Sequence, residues 1–131
     1  MMTPVSPRPK ASWITKFRCT FRGTKLAFRG ESSFFVHLFV AVAVTVAAAV
    51  FQVSLIEWCL LAGCIGGVLA VELLNTAIER LARAVDNTYN DQLRDALDIS
   101  GAAVLIASVA ASVIGALILG SHLLSALGWM E

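Results

Sequence analysis

Three long apolar stretches, almost empty of charge, decide most of what this chain can fold into. Glu31 is the last charged residue before an uncharged run from Ser32 to Ile56, and its core, Phe34 to Phe51, is long enough to span. A helix crosses the hydrocarbon core of a bilayer in roughly 20 residues. A second apolar stretch runs from about Ile56 to Glu79 and is expected to continue as helix to Val85. A third runs from about Ile99 to Leu119 with no charge inside. Backbone in lipid has no water to bond, so each segment must satisfy its own N–H and C=O groups as a helix. Of the 131 residues, 58% are hydrophobic and 15% charged, whereas soluble domains hold about 45–50% apolar residues. The expected fold is an all-α membrane protein. A surface helix over 12–30 leads to spans at about 33–51, 56–85 and 97–119, in one domain over 12–120.

The flanks fit that plan. Residues 1–11 carry Pro4, Pro7 and Pro9 and little apolar material, and read as a flexible tail. They lack the short apolar core and cleavage site of a signal peptide. Ser12 is placed to cap the helix that follows. In that helix Trp13, Phe17, Phe21, Thr24 and Phe28 recur at helical spacing, and Arg18, Arg22, Lys25 and Arg29 form a second stripe. Aromatics toward lipid and cations toward headgroups make an amphipathic helix lying in the interface. A nucleic-acid patch is the weaker reading, because the stripe adjoins a span. Phe51-Gln52-Val53-Ser54 is the expected turn, Asp86 to Asp95 a polar loop, and 121–131 a short tail. Cys19, Cys59 and Cys64 have no metal spacing and read as small hydrophobes. Gly63 and Gly67 permit close helix contact, or are simply glycines that lipid tolerates. The small residues of the third span predict a helix packed against others rather than facing lipid all round.

Every Lys and Arg lies between Arg8 and Arg29 or at Arg80, Arg83 and Arg94. Positive flanks stay cytoplasmic, so the N-terminal segment and the loop after the second span belong inside, and the C-terminus outside. Glu31, Glu72, Asn75, Glu79 and Asp98 then gather at the cytoplasmic half, while Glu57 lies at the opposite end. His37, just inside the first span, reads as a hydrogen-bonded packing residue more readily than as a base.

The stretch Glu72-Leu73-Leu74-Asn75-Thr76-Ala77-Ile78-Glu79 carries the chemistry. Glu72, Asn75 and Glu79 are spaced i, i+3, i+7 and share one helix face. A charged side chain deep in a bilayer costs roughly 2.5–3.5 kcal/mol on insertion scales, so ionisable groups there mark function. The bland alternative is a helix running out into water at Glu79. Carboxylates beside a membrane surface suit Mg2+, which takes one or two of them and completes its shell with phosphate oxygens and water. Phosphoryl transfer needs a metal, positioned reactants and a base. Glu72, two turns deeper than Glu79, would reach a lipid hydroxyl, and Glu79 and Glu31 would hold metal with nucleotide phosphates. There is no glycine-rich phosphate loop and no protein-kinase signature.

The same stretch resembles the signature of the prokaryotic diacylglycerol kinase family, which includes undecaprenol kinases. The resemblance extends from about Trp13 to Leu119. It takes in Phe21-Arg22-Gly23, Gly30-Glu31, the Tyr89 loop and Asp98-Ile99-Ser100-Gly101-Ala102-Ala103-Val104-Leu105. It implies a small integral kinase of the bacterial cytoplasmic (inner) membrane, with a surface helix and three spans. It implies a homotrimer with sites shared between subunits, and transfer of the γ-phosphate of ATP, with Mg2+, to a lipid alcohol. By this resemblance Glu72 matches the catalytic base, and Glu31 and Glu79 match the metal-binding carboxylates. Asn75 matches the motif's amide near the site. Thr88, Tyr89, Asn90 and Asp98 match positions that hold the nucleotide.

Three positions depart from the family pattern. Leu97 stands where a lysine is usual, Arg83 where an aspartate is usual, and Phe34-Phe35 where a basic residue is usual. A lost phosphate-binding cation matters in such chemistry, and Arg83 or Arg94 is expected to replace it. Arg83, one turn from Glu79, is the better placed, so its loss should raise the KM for ATP strongly. Two alternatives are a small ion-coupled transporter built on an intramembrane glutamate and a catalytically impaired family member.

Overall fold

The computed structural model describes residues 12–27, 32–85 and 90–129. They form four helices: α1 (Trp13–Ala27), α2 (Ser32–Val50), α3 (Leu55–Val85) and α4 (Asp91–Ala126). Three of them, α2 to α4, are long and apolar enough to cross a membrane. This is the expected all-α membrane architecture of one short helix and three spans.

Local chemistry sets the ends. The Ser12 hydroxyl accepts the Thr15 N–H at 3.3 Å, satisfying one of the orphan donors of the first turn of α1. The turn between α2 and α3 lies where expected. Gln52 takes φ 51, and the Val53 N–H returns to the Ala48 carbonyl at 3.2 Å. Ser54 and Glu57 then close a reciprocal cap on α3. The Ser54 N–H donates to Glu57 Oε2 at 2.7 Å, and the Glu57 N–H approaches Ser54 Oγ at 3.4 Å.

The third span is longer than its apolar run. Asn90 Oδ1 accepts the N–H groups of Gln92 and Leu93, and the helix starts at Asp91, inside the expected polar loop. It continues to Ala126, so most of the expected C-terminal tail is helix as well. Hydropathy marks where a helix meets lipid, whereas a capping Asn and a good helix-forming sequence carry it on into water.

α3 is the central element, packing along α4 and against α2 and α1. Its buried centre, at the turn end, is Ala48, Val53 and Leu61, flanked by Trp58, Ile118 and Leu119. Large apolar side chains elsewhere are open, among them Ile99, Leu105, Ile106 and Leu117 on α4. Where lipid is the solvent such faces cost nothing, and small-residue packing and polar contacts hold the helices instead. Gly63 and Gly67 face open space, so within the protomer they make no close helix crossing.

α1 lies against α3 through a face its aromatic stripe does not announce. Thr20, Gly23 and Thr24 line a cavity of about 370 Å³ with Leu73, Thr76 and Ala77 of α3. Thr24, expected among the aromatics, is on this contact, while Trp13, Phe17 and Phe21 are exposed. Phe28 and Arg29 lie outside the described residues. Arg80 donates to the Leu26 carbonyl at 2.6 Å, a cation at the carbonyl end of α1, where the helix dipole favours it.

Candidate functional site

The stripe on α3 assembles as its spacing requires. Glu72 is 1% exposed and Thr76, one turn on, is also buried. Asn75 Nδ2 donates to Glu79 Oε1 at 2.9 Å, so the amide and the second carboxylate do share a face. From α4, the buried Ser100 hydroxyl reaches Asn75 Oδ1 at 2.7 Å and the Leu97 carbonyl at 2.9 Å. It has one proton for two acceptors, so the pair shares it. This link fixes the α3 site against α4 at the level of Asn75.

Glu72 is treated differently. Its Oε2 is buried and has no hydrogen-bond partner among the described residues. The group facing it is His37 of α2, whose Nε2 lies 4.0 Å away. That is within ion-pair reach but beyond a hydrogen bond. An unbonded buried carboxylate oxygen is costly and leaves acceptor capacity for an incoming hydroxyl. Glu79 is less enclosed, with its side chain 31% exposed, and Arg83 Nη2 lies 3.6 Å from its Oε2.

The remaining expected residues divide. Glu31, Thr88 and Tyr89 lie outside the described residues. The Asn90 side chain caps α4. Asp98 is exposed and stands two positions from Ser100, about 200° around the helix, so within the protomer it faces away from the Asn75 contact. Among the described residues no three His, Cys, Asp or Glu side chains form a metal cluster.

A second cavity, about 450 Å³, lies between α2, α3 and α4. Its wall is mostly aliphatic, with His37, Ser108 and Ser112 as polar exceptions. Neither cavity is lined by Glu72, Asn75 or Glu79.

Sequence reasoning misses one contact here: Ser100 gives no signal by itself, since a small hydroxyl in an apolar helix is ordinary. His37, which the sequence marks as a packing residue more readily than a base, stands 4.0 Å from Glu72 Oε2; the one sequence signal for that approach is its place in the same half of the bundle, on the neighbouring helix.

Comparison with known proteins adds chemistry to this geometry. The profile of the prokaryotic diacylglycerol kinase family matches residues 18–119. A diacylglycerol kinase of Synechocystis sp. is 33% identical over 126 residues, which covers 91% of this chain and 72% of that protein. An undecaprenol kinase of Bacillus subtilis is 34% identical over 97 residues, 74% of this chain and 79% of that protein.

Proposed function

Because the chain belongs to the prokaryotic diacylglycerol kinase family, and is thus a lipid kinase served by a nucleotide phosphoryl donor, we propose that it transfers the γ-phosphate of ATP directly to a membrane lipid alcohol. The acceptor is diacylglycerol or undecaprenol, the substrates named by its two relatives. A lipid kinase displaces the transporter alternative.

The observation that carries the proposal is Glu72: a carboxylate sealed in the bundle, with Oε2 left unbonded. Glu72 takes the proton of the lipid hydroxyl as that oxygen attacks the γ-phosphorus. The new O–P bond forms while the bond to the β-phosphate oxygen breaks, giving a phospholipid and ADP. In this reading transfer is in line and without a phosphoenzyme, with Glu72 acting as base on the lipid hydroxyl rather than as a nucleophile on phosphorus. Placing a base on the attacking hydroxyl contributes about 10²–10⁴ in rate.

The donor set suits Mg2+. Glu79 is a partly open carboxylate, held by Asn75 and by an exposed Arg83, and Glu31 is the proposed second ligand. Mg2+ takes one or two carboxylates together with phosphate oxygens, and when bound it offsets polyphosphate charge. Thr88, Tyr89, Asn90 and Asp98 are the proposed nucleotide contacts, and Arg83 supplies the phosphate-facing cation missing at Leu97. We place the site on the cytoplasmic side of the bacterial inner membrane. The outward Asp98 and the open Gly63 and Gly67 support a homotrimer in which neighbouring protomers complete each site.

The test is transfer of radiolabelled phosphate from ATP to diacylglycerol and to undecaprenol, side by side in detergent micelles. Mg2+-dependent labelling of one lipid is expected. No labelling of either lipid by the folded protein would overturn the proposal and mark a catalytically impaired member.

A further inference from the structure

Glu72 has a difficulty that its own burial creates. Once it has taken a proton from a lipid hydroxyl it must lose that proton before the next turnover, yet its side chain is 2% exposed. His37, the group facing it, is 21% exposed and lines the 450 Å³ cavity between α2, α3 and α4. One ring nitrogen of a neutral imidazole accepts a proton while the other carries one.

We propose that His37 is the positioning residue and proton outlet of Glu72, a role that rests on Glu72 being the base. With Nε2 unprotonated and turned to Oε2, the imidazole takes the proton that Glu72 received from the lipid hydroxyl. The carboxylate is thereby restored. The imidazolium then loses the proton on its other ring nitrogen toward the interface at the near end of α2; this leaves the Nε2–H tautomer, and proton exchange or a flip of the ring returns Nε2 to its unprotonated form before the next turnover. The 4.0 Å gap closes to a hydrogen bond by a small side-chain movement, and catalytic hydrogen bonds often tighten only once substrate is bound.

The surroundings leave this task to His37 among the described residues. Glu79 is held by Asn75 and Arg83. Arg80 is turned to the end of α1. Asp98 is exposed on α4. Thr76 is buried one turn from Glu72, but a hydroxyl oxygen is too weak a base to take up a further proton at neutral pH.

The experiment compares wild type, His37→Ala, His37→Gln and Glu72→Gln in micelles with ATP and the better of the two lipid acceptors. His37→Ala and His37→Gln should each lower kcat about 10- to 100-fold, the usual effect of a partner behind a reacting group. KM for ATP should stay within about twofold, since nucleotide binding is untouched. Imidazole in the buffer should restore part of kcat to His37→Ala in proportion to its concentration, and restore nothing to Glu72→Gln. Wild-type kcat in both His37 variants, with Glu72→Gln inactive, overturns the outlet and leaves Glu72 as base. Full activity in Glu72→Gln removes the base itself. A loss in His37→Gln that imidazole does not rescue in His37→Ala, accompanied by a lower Tm, makes His37 a packing residue and also overturns the proposal.

Discussion

The bundle holds two glutamate–histidine pairs, one toward each end, and the protein treats them in opposite ways. At the turn end, Glu57 accepts the Ser54 N–H at 2.7 Å, and His122 Nε2 lies 3.2 Å from both of its carboxylate oxygens. The His122 ring stacks on Phe51 at 6.3 Å. Both carboxylate oxygens there have a partner within the fold, and the pair joins the start of α3 to the far end of α4. At the other end, Glu72 is more deeply buried, yet its Oε2 has no hydrogen-bond partner among the described residues and His37 stands off at 4.0 Å. The residue types are the same, so composition does not separate the two pairs. What separates them is whether the carboxylate is satisfied. A satisfied pair fastens helices; an unsatisfied one, held in place by its surroundings, keeps capacity for a substrate.

Substitutions at the two ends should break this symmetry in kind as well as in size. Glu72→Gln is the largest expected effect, a fall in kcat of about 10²–10⁴ with thermal unfolding in detergent little changed. A variant that kept wild-type turnover would erase the contrast. Asn75→Ala comes next. It frees Glu79 and leaves the buried Ser100 hydroxyl bonded only to the Leu97 carbonyl, at a cost of about 0.5–1.5 kcal/mol for each hydrogen bond lost. Both Tm and kcat should drop, which marks Asn75 as belonging to the fold and the site together.

Glu57→Ala should cost about 1–2 kcal/mol through the lost cap on α3. It is seen as a lower Tm, with kcat of the folded protein unchanged. Loss of kcat without loss of Tm would show that the turn end also takes part in turnover. Arg83→Ala is the smallest. The sequence alone predicts a strong rise in KM for ATP, but the side chain is 63% exposed and a charge contact screened by water contributes under about 1 kcal/mol, so the rise should be no more than about fivefold.

What was legible in the sequence was whatever lies within one helix. The i, i+3, i+7 spacing of Glu72, Asn75 and Glu79 set a common face, and the Asn75–Glu79 bond realises it. The uncharged runs showed three spans because only helices satisfy backbone in lipid. The cap at Ser54 was equally legible, since Ser54-Leu55-Ile56-Glu57 has the spacing of a capping box, but Glu57 was set aside for lying at the wrong end. Contacts between helices were another matter. Ser100 meets Asn75, His37 faces Glu72 and His122 meets Glu57 only after rotation and offset of whole helices are fixed. Local pattern carries none of that information. The face of α1 on α3 escaped for the same reason: the aromatics dominate the pattern, while small Thr and Gly residues make the contact.

Helix length has a further consequence. At about 1.5 Å per residue, the 36 residues of α4 measure about 54 Å and the 31 of α3 about 46 Å. The oily slab they cross is only about 30 Å thick. Both rods are therefore longer than that slab is thick, and the surplus, with Glu79 to Val85 on one and Asp91 to Asp98 on the other, is long enough to carry helix through the headgroup layer. A visitor arriving from the water meets walls already standing, and the entropy of shaping them has been settled during folding rather than at each encounter.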